Sequence, residues 1–264
     1  MTPTVTLSTP NPVRISARRA SLVHLLVSLA VALLVAMLIF LVWYPWPLHT
    51  MLGGLGLLGL VAGVDAVCGP MLTFLLWNDR KTKLALTVDC TLIACIQIAA
   101  LGYGLYTVAE GRPVHVVFEV DRLRVVSAVD IDSADLPQAS PELRVLPWTG
   151  PTWLSVRAPR DSDELLNSVE LSLAGKEPSV RPGWWQSYSE GVPDMLKRAR
   201  PLDLLASARS AQRPLLDKAV KEAGVDVADL VWLPLVSRRS MEWIVLLHRT
   251  TGQPLAYAPI DGFF

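Results

Sequence analysis

The chain is short of charge, of cysteine and of histidine. Only 18% of its 264 residues are Asp, Glu, Lys or Arg, and 24 basic side chains balance 24 acidic ones. A soluble domain averages about 25% charged residues, so part of this chain is not built for water. The zero balance also excludes the basic stripe expected of a nucleic-acid binder. Cys68, Cys90 and Cys95 all lie in apolar runs, which leaves no disulfide scaffold and no CxxC redox motif. His24, His49, His115 and His248 have no metal-ligand spacing to Cys or carboxylates. No GxSxG, HExxH or Walker pattern occurs. No catalytic, cofactor-binding or metal site is expected, and the chain does not read as an enzyme.

What charge there is lies unevenly. Residues 1–108 carry Arg14, Arg18, Arg19, Arg80, Lys81 and Lys83 against Asp65, Asp79 and Asp89, and the other 18 basic and 21 acidic residues follow Val108. The expected organisation is a disordered, Thr-, Pro- and Ser-rich N-terminus over 1–20, a membrane region over 21–108 and a water-soluble domain over 109–264.

Ser21 to Tyr44 runs without an Asp, Glu, Lys or Arg, long enough at about 1.5 Å per residue to cross a hydrocarbon core of roughly 30 Å. It ends in Trp43-Tyr44-Pro45-Trp46-Pro47, an interfacial aromatic anchor and helix stop rather than the small-residue site that would end a signal peptide. Leu52–Trp77 and Leu84–Val108 read as two further spans, joined by a tight turn over 78–83. Lys and Arg mark the cytoplasmic side. Arg14, Arg18 and Arg19 share that side with Arg80, Lys81 and Lys83, while the 45–50 loop has no basic residue. Three spans then put everything after Val108 outside, which in a bacterium is the periplasm.

Within the membrane region Asp65 stands out, because a carboxylate at the centre of a span costs about 2.5 kcal/mol or more. Gln97 belongs at a comparable depth in the next span. Three roles are open to Asp65: a hydrogen bond to Gln97 that holds the hairpin, contact with a partner, or proton transport. Gly53, Gly54, Gly56, Gly59 and Gly63, with Ala62 and Ala66, and Ala100 with Gly104, allow helix backbones to approach closely, inside this protein or against another protein's helix. Gly69-Pro70 should kink the second span.

Beyond the membrane, Pro113–Ile131 holds two β-branched runs around Asp121-Arg122 and predicts paired strands. Trp153–Arg157 predicts a strand, and Asp161–Ala174 a helix stopped by Gly175. The Pro-Gly-Trp-Trp tract at 182–185 opens a short helix. Pro201–Ala223 has a helical period broken at Pro214. Leu230–Leu235, Glu242–His248 and Leu255–Ile260 predict C-terminal strands that pair with the hairpin after the membrane. Strands at both ends with helices between imply an α+β domain. Glu119, Asp121, Asp130, Asp132 and Asp135 read as a solvated strand face, with a cation site or carboxylate pair as the alternative. Trp184 and Trp185 read as local core or as a partner anchor.

Asp65 to Thr73, the basic turn over 78–83, Gln97 with Leu101-Gly-Tyr-Gly104 and, above all, Arg112-Pro-Val-His-Val-Val-Phe-Glu-Val-Asp-Arg-Leu-Arg-Val-Val-Ser-Ala-Val-Asp-Ile131 resemble the TfpX/TfpZ family of type IV pilin accessory proteins. The resemblance covers residues 50–135 clearly and the remainder loosely. It implies an inner-membrane, chaperone-like protein, N-terminus in the cytoplasm and C-terminal domain in the periplasm, that binds a cognate pilin and assists pilus assembly. It supplies no catalytic residues. On this reading Gly59, Gly63, Asp65, Pro70 and Gln97 receive the pilin's membrane helix, the lipid bilayer surrounds the spans, and Trp184 and Trp185 touch the pilin head. The rival readings are a membrane-anchored periplasmic enzyme, which would bring the acidic run into a pocket with His115, and a transmembrane sensor, which would need a larger cytoplasmic region.

Overall fold

A computed structural model describes residues 17–77 and 81–264, without the side chains at 54, 55, 57, 58, 60–62, 64–66 and 83. The chain forms two compact units: one takes in the chain to Ala36 and Leu58–Gly104, the other Met37–Leu57 and Leu105–Phe264. The loop after the first apolar run is thus grouped with the C-terminal part.

The first unit is helical. Its elements are α1 (Ala17–Met37), α3 (Gly54–Leu76) and α4 (Lys83–Glu110), the last two running on into the second unit. Two helical stretches, Ala17–Trp43 and Leu84–Glu110, are long and apolar enough to cross a membrane; in α3 the stretch that qualifies as apolar among the described residues is the shorter Val67–Leu76. Leu22, Leu26, Leu33 and Leu34 of α1 and Leu84, Leu92, Ile96 and Ile98 of α4 are exposed. Helices apolar on every side need a cover other than water. The N-terminal segment before Ala17, Asp79, Arg80 and the Asp65 side chain lie outside the described residues. Asp89, the acid near the start of α4, is paired with Lys81 at 2.5 Å, and the same ammonium donates to the Leu76 carbonyl at the end of α3.

The second unit is built on one eight-stranded sheet. Its strands are β1 (Pro113–Glu119), β2 (Arg122–Ser127), β3 (Thr152–Val156), β4 (Trp185–Ser187), β5 (Arg200–Pro201), β6 (Leu230–Val236), β7 (Trp243–His248) and β8 (Pro254–Ala258). They lie in the order β4-β3-β1-β2-β6-β7-β8, with β5 beside β6. β1–β2, β3–β4, β6–β7 and β7–β8 are antiparallel, whereas β1–β3 and β2–β6 are parallel. β1 and β6 are buried along their whole length, as strands covered on both faces are.

On one face α7 (Leu202–Ala208) and α8 (Arg213–Ala223) set Leu202, Leu205, Leu216 and Ala219 against Leu230, Trp232, Ile244, Leu246, Ala256 and Ala258. The predicted break at Pro214 is a helix start, and Gly224 closes α8 at φ +68°. Beside them Val114, Val117, Val126, Ile131, Leu154 and Trp185 form a second core. The opposite face carries α6 (Tyr188–Arg198), where Gly191 meets Ser155 so closely that a Cβ would stand 2.3 Å from the serine Cβ. α5 (Ser162–Leu173) is capped by Asp161, whose carboxylate accepts from the Glu164 amide at 2.8 Å; Ser162 and Asp163, equally eligible from the sequence, lie inside the first turn. Arg181 then holds it, donating to the Ser168 carbonyl and hydroxyl and to Ser172.

Trp232 is fully buried, and its indole N–H donates to the Pro201 carbonyl at 3.0 Å. Trp232→Ala should lower stability by about 3–5 kcal/mol, read as the shift of the purified protein's denaturation midpoint.

Candidate functional site

The expected site residues divide between the units. Gly59, Gly63, Asp65, Pro70 and Gln97 lie in the helical unit, and Trp184 and Trp185 in the sheet unit.

In the helical unit three helices meet through polar side chains. Ser21 of α1 donates to the Pro70 carbonyl at 2.9 Å. His24 places Nδ1 2.6 Å from the Thr73 hydroxyl and Nε2 2.7 Å from the Gln97 side-chain oxygen. Gln97 thus has a partner in α1, and its expected bond with the Asp65 carboxylate lies outside the described residues. Gly69 makes the junction possible: a Cβ there would stand 2.1 Å from Gln97 Nε2 and 2.9 Å from His24 Nε2. The close-packing glycine is therefore Gly69. At Gly59 and Gly63 a Cβ would meet no described atom within 4 Å, and both residues are exposed. Ser21, His24 and Thr73 were not among the expected site residues. Each is a single polar side chain in an apolar run, and only the fold unites them.

Gly54-Leu-Gly56-Leu-Leu-Gly59 has the GxGxxG spacing of dinucleotide binding, but it lies inside α3 and follows the short helix α2 (Leu48–Met51) rather than a strand. The context that spacing requires is missing.

In the sheet unit a groove of about 940 Å³ runs between α5 and α6. Phe118 and Val156 lie on the sheet side, Leu165, Val169 and Leu173 on α5, and Trp184 lines the groove between them. The Arg157 and Arg181 guanidiniums lie 4.6 and 5.4 Å from the Trp184 ring centre. Arg157 also forms a two-pronged bond with Glu164, which holds that carboxyl down to about 2. Val120, at the tip of the β1–β2 turn, lines the groove at φ +53°, a conformation that costs a β-branched residue dearly. Trp184 and Trp185 separate in role. Trp185 is core, its indole N–H donating to the Ser179 carbonyl at 2.8 Å and its ring edge-on to His115. Trp184 belongs to the groove.

The acidic run divides: Glu119 and Asp130 have buried carboxylates, whereas Asp121, Asp132 and Asp135 stay at the solvated surface. Glu119 is buried, bound to Arg124 at 2.8 Å and to the Ser179 amide at 3.1 Å. Asp121 pairs with Arg122, and Asp130 with Arg238 and the Ser127 amide. Asp132 lies 3.9 Å from Lys176, and Asp135 accepts from Gln138. Among the described residues no three His, Cys, Asp or Glu side chains come together as metal ligands. His115 faces Thr152 and Trp185 rather than any of these acids.

A third constellation surrounds the end of the first apolar helix. The Tyr44 hydroxyl donates to the Val108 carbonyl at 2.9 Å, over Gly111. Arg112 donates to the Ala109 and Pro147 carbonyls and stacks 3.9 Å from the Trp148 ring centre, and Trp148 lies 6.1 Å from Trp43. Trp46 meets Trp243 edge-on, and Pro45, Trp46, Pro47 and Leu48 lie over Val116, Trp153, Leu235 and Tyr257 of the sheet. Arg239 donates to the Leu52 carbonyl at 3.1 Å, beside Gly53 at φ +72°. The loop expected as an interfacial stop also rests on the sheet unit, with Trp46 against Trp243 and still half-exposed.

Two fimbrial assembly proteins of Dichelobacter nodosus, of serogroups I and E1, are each 40% identical to this chain over 248 residues, covering 94% of it and 96% of their own length. The chain belongs to the family of fimbrial assembly proteins. A third relative, the fimbrial assembly protein of serogroups C1 and C2, is 46% identical over 123 residues, 47% of this chain and 94% of its own length. The profile of the fimbrial assembly protein FimB family matches residues 14–53, which take in α1 and the loop of the aromatic constellation. No solved structure matches the chain.

Two measurements check this geometry. Gly69→Val should destabilise the helical unit, because the new side chain would displace Gln97 and His24, whereas Gly63→Val should be tolerated; thermal melts in detergent separate the two. Burial holds the His115 imidazole down to about 4, from 6.5. The unfolded chain takes up that proton below pH 6.5 and the folded chain only near 4. Stability should therefore be complete above pH 6.5 and decline by about 3 kcal/mol as pH falls through that window. Denaturation midpoints against pH should show this slope, and His115→Phe should flatten it.

Proposed function

We propose that this fimbrial assembly protein is a bacterial inner-membrane accessory of the TfpX/TfpZ kind, which binds a cognate type IV pilin and assists its assembly into a pilus. It crosses the membrane three times, through α1, α3 and α4, with the N-terminus in the cytoplasm and the sheet unit in the periplasm. The exposed leucines and isoleucines of α1 and α4 support burial in lipid, and the basic residues at 14, 18, 19, 80, 81 and 83 support the orientation.

The observation that carries the reading is the contrast between glycines. Gly69 is consumed by packing inside the protein, while Gly59 and Gly63, four residues apart, are exposed and meet no described atom within 4 Å of a Cβ. Small residues at that spacing let a second helix come close in lipid, where packing drives association. The occupant is the pilin's apolar N-terminal helix, which carries a glutamate. The groove beside Trp184 receives the pilin head, since Leu165, Val169 and Leu173 lie exposed there and an apolar groove on a periplasmic surface marks a contact. The protein acts by binding and not by catalysis: the carboxylates an enzyme would have used are engaged in separate pairs.

Pull-down of pilin from membranes tests the reading. Gly59→Leu and Asp65→Leu, each still inserted, should reduce pilin recovery about tenfold, and Val169→Lys should weaken capture of the soluble pilin head. Undiminished capture by all three variants would remove pilin binding from these surfaces.

A further inference from the structure

The segment Pro141–Gly150 joins the β1–β2 hairpin to β3 and carries the sequence Pro-Glu-Leu-Arg-Val-Leu-Pro-Trp-Thr-Gly. It is fixed at three points. Arg112 donates to the Pro147 carbonyl at 3.2 Å and stacks on Trp148. Trp148 packs on Trp43, the last residue of a helix long enough to cross a membrane. Gly150, at φ +88°, has its Cβ direction 3.5 Å from the Val42 carbonyl and 3.9 Å from Pro45 Cγ. Leu143 and Leu146 pack inward on the core of the sheet unit, but two apolar side chains of the segment stay largely uncovered: Val145 is 79% exposed and Trp148, despite its contacts, 57%. Arg144 is exposed beside them.

We propose that this segment is a lipid-binding loop, which inserts Val145 and Trp148 into the outer face of the bilayer beside Trp43, with Arg144 at the phosphate level. Its occupant is lipid because the surface is continuous with an apolar helix end. Val42 and Trp43 close the apolar helical stretch Ala17–Trp43, and a residue packed on them at that height meets what surrounds the helix. The chemistry agrees: a Trp ring with one polar edge, a small apolar side chain and a guanidinium are the residues that settle at a membrane interface. Trp46, 54% exposed in the loop after Trp43, extends the same belt. The contact ties the sheet unit to the membrane surface through a segment distant in sequence from every span. The proposal rests on the membrane reading above.

The test uses the full chain in phosphatidylglycerol–phosphatidylethanolamine nanodiscs, with Cys68, Cys90 and Cys95 replaced by Ala and a polarity-sensitive dye on single cysteines. Val145→Cys reports the loop, Ile96→Cys the middle of α4, and Lys218→Cys the charged surface of α8. Lipids carry a nitroxide either near the headgroup or near the chain end. A loop seated about 5–10 Å into the headgroup and acyl boundary should lose about half of its Val145 emission to the shallow nitroxide and little to the deep one. Ile96 should respond to the deep nitroxide and Lys218 to neither. Quenching at Ile96 without quenching at Val145 would overturn the lipid-binding loop and leave the membrane reading standing. Quenching at neither position would overturn both.

Discussion

The structure turns on the packing around Arg112. Its guanidinium is buried among carbonyl oxygens and a tryptophan face, with donors to Ala109 and Pro147 and the Trp148 ring 3.9 Å away. A cation taken out of water needs such partners, because an unpaired one would cost several kcal/mol. Here the carbonyls come from the last turn of α4 and from the loop before β3, and the ring leads on to Trp43. One side chain thereby joins the end of α4, the segment ahead of β3 and the end of the first apolar helix. Tyr44 adds a second bond to α4 through the Val108 carbonyl. The sheet begins immediately afterwards at Pro113, so the strand that seeds it leaves a fixed point.

Elsewhere the same logic governs charge. Glu119 and Arg181 are buried, and each is satisfied by several partners rather than by one. Arg181 spends its donors on α5, which touches the rest of the unit sparingly and leaves an apolar side uncovered. Buried ionic groups of this sort contribute geometry more than stability. In this fold Arg181 holds Ser168 and Ser172 of α5, the helix that lines one side of the groove.

Much of this was legible from local pattern. The β1–β2 hairpin followed from two β-branched runs, α5 from the capping residues at 161–163 and its Gly175 stop, α8 from its period and Gly224, and the C-terminal strands from their apolar runs. Side-chain partnership was not legible. The acidic run is solvated at Asp121, Asp132 and Asp135, as its pattern suggested, but Glu119 and Asp130 are buried against Arg124 and Arg238, partners that the run itself does not contain. Ser21, His24 and Thr73 each looked incidental for the same reason. A glycine's purpose was equally hidden: spacing drew attention to Gly59 and Gly63, while packing needs Gly69, and sequence cannot tell an inward glycine from an outward one.

The sheet is two local ribbons stitched by a short parallel seam, where Leu123 pairs with Leu235 and Arg124 with Val236. Within each ribbon neighbouring strands are close in sequence, so they can form early, whereas the seam must wait for residues far down the chain. Synthesis from the N-terminus thus leaves β2 as a bare edge until the last fifth of the polypeptide has emerged, and a bare edge invites pairing with other chains. Maturation of the protein is for that reason gated by its C-terminal ribbon, and a prematurely ended chain would carry an adhesive border where the finished one has an interior.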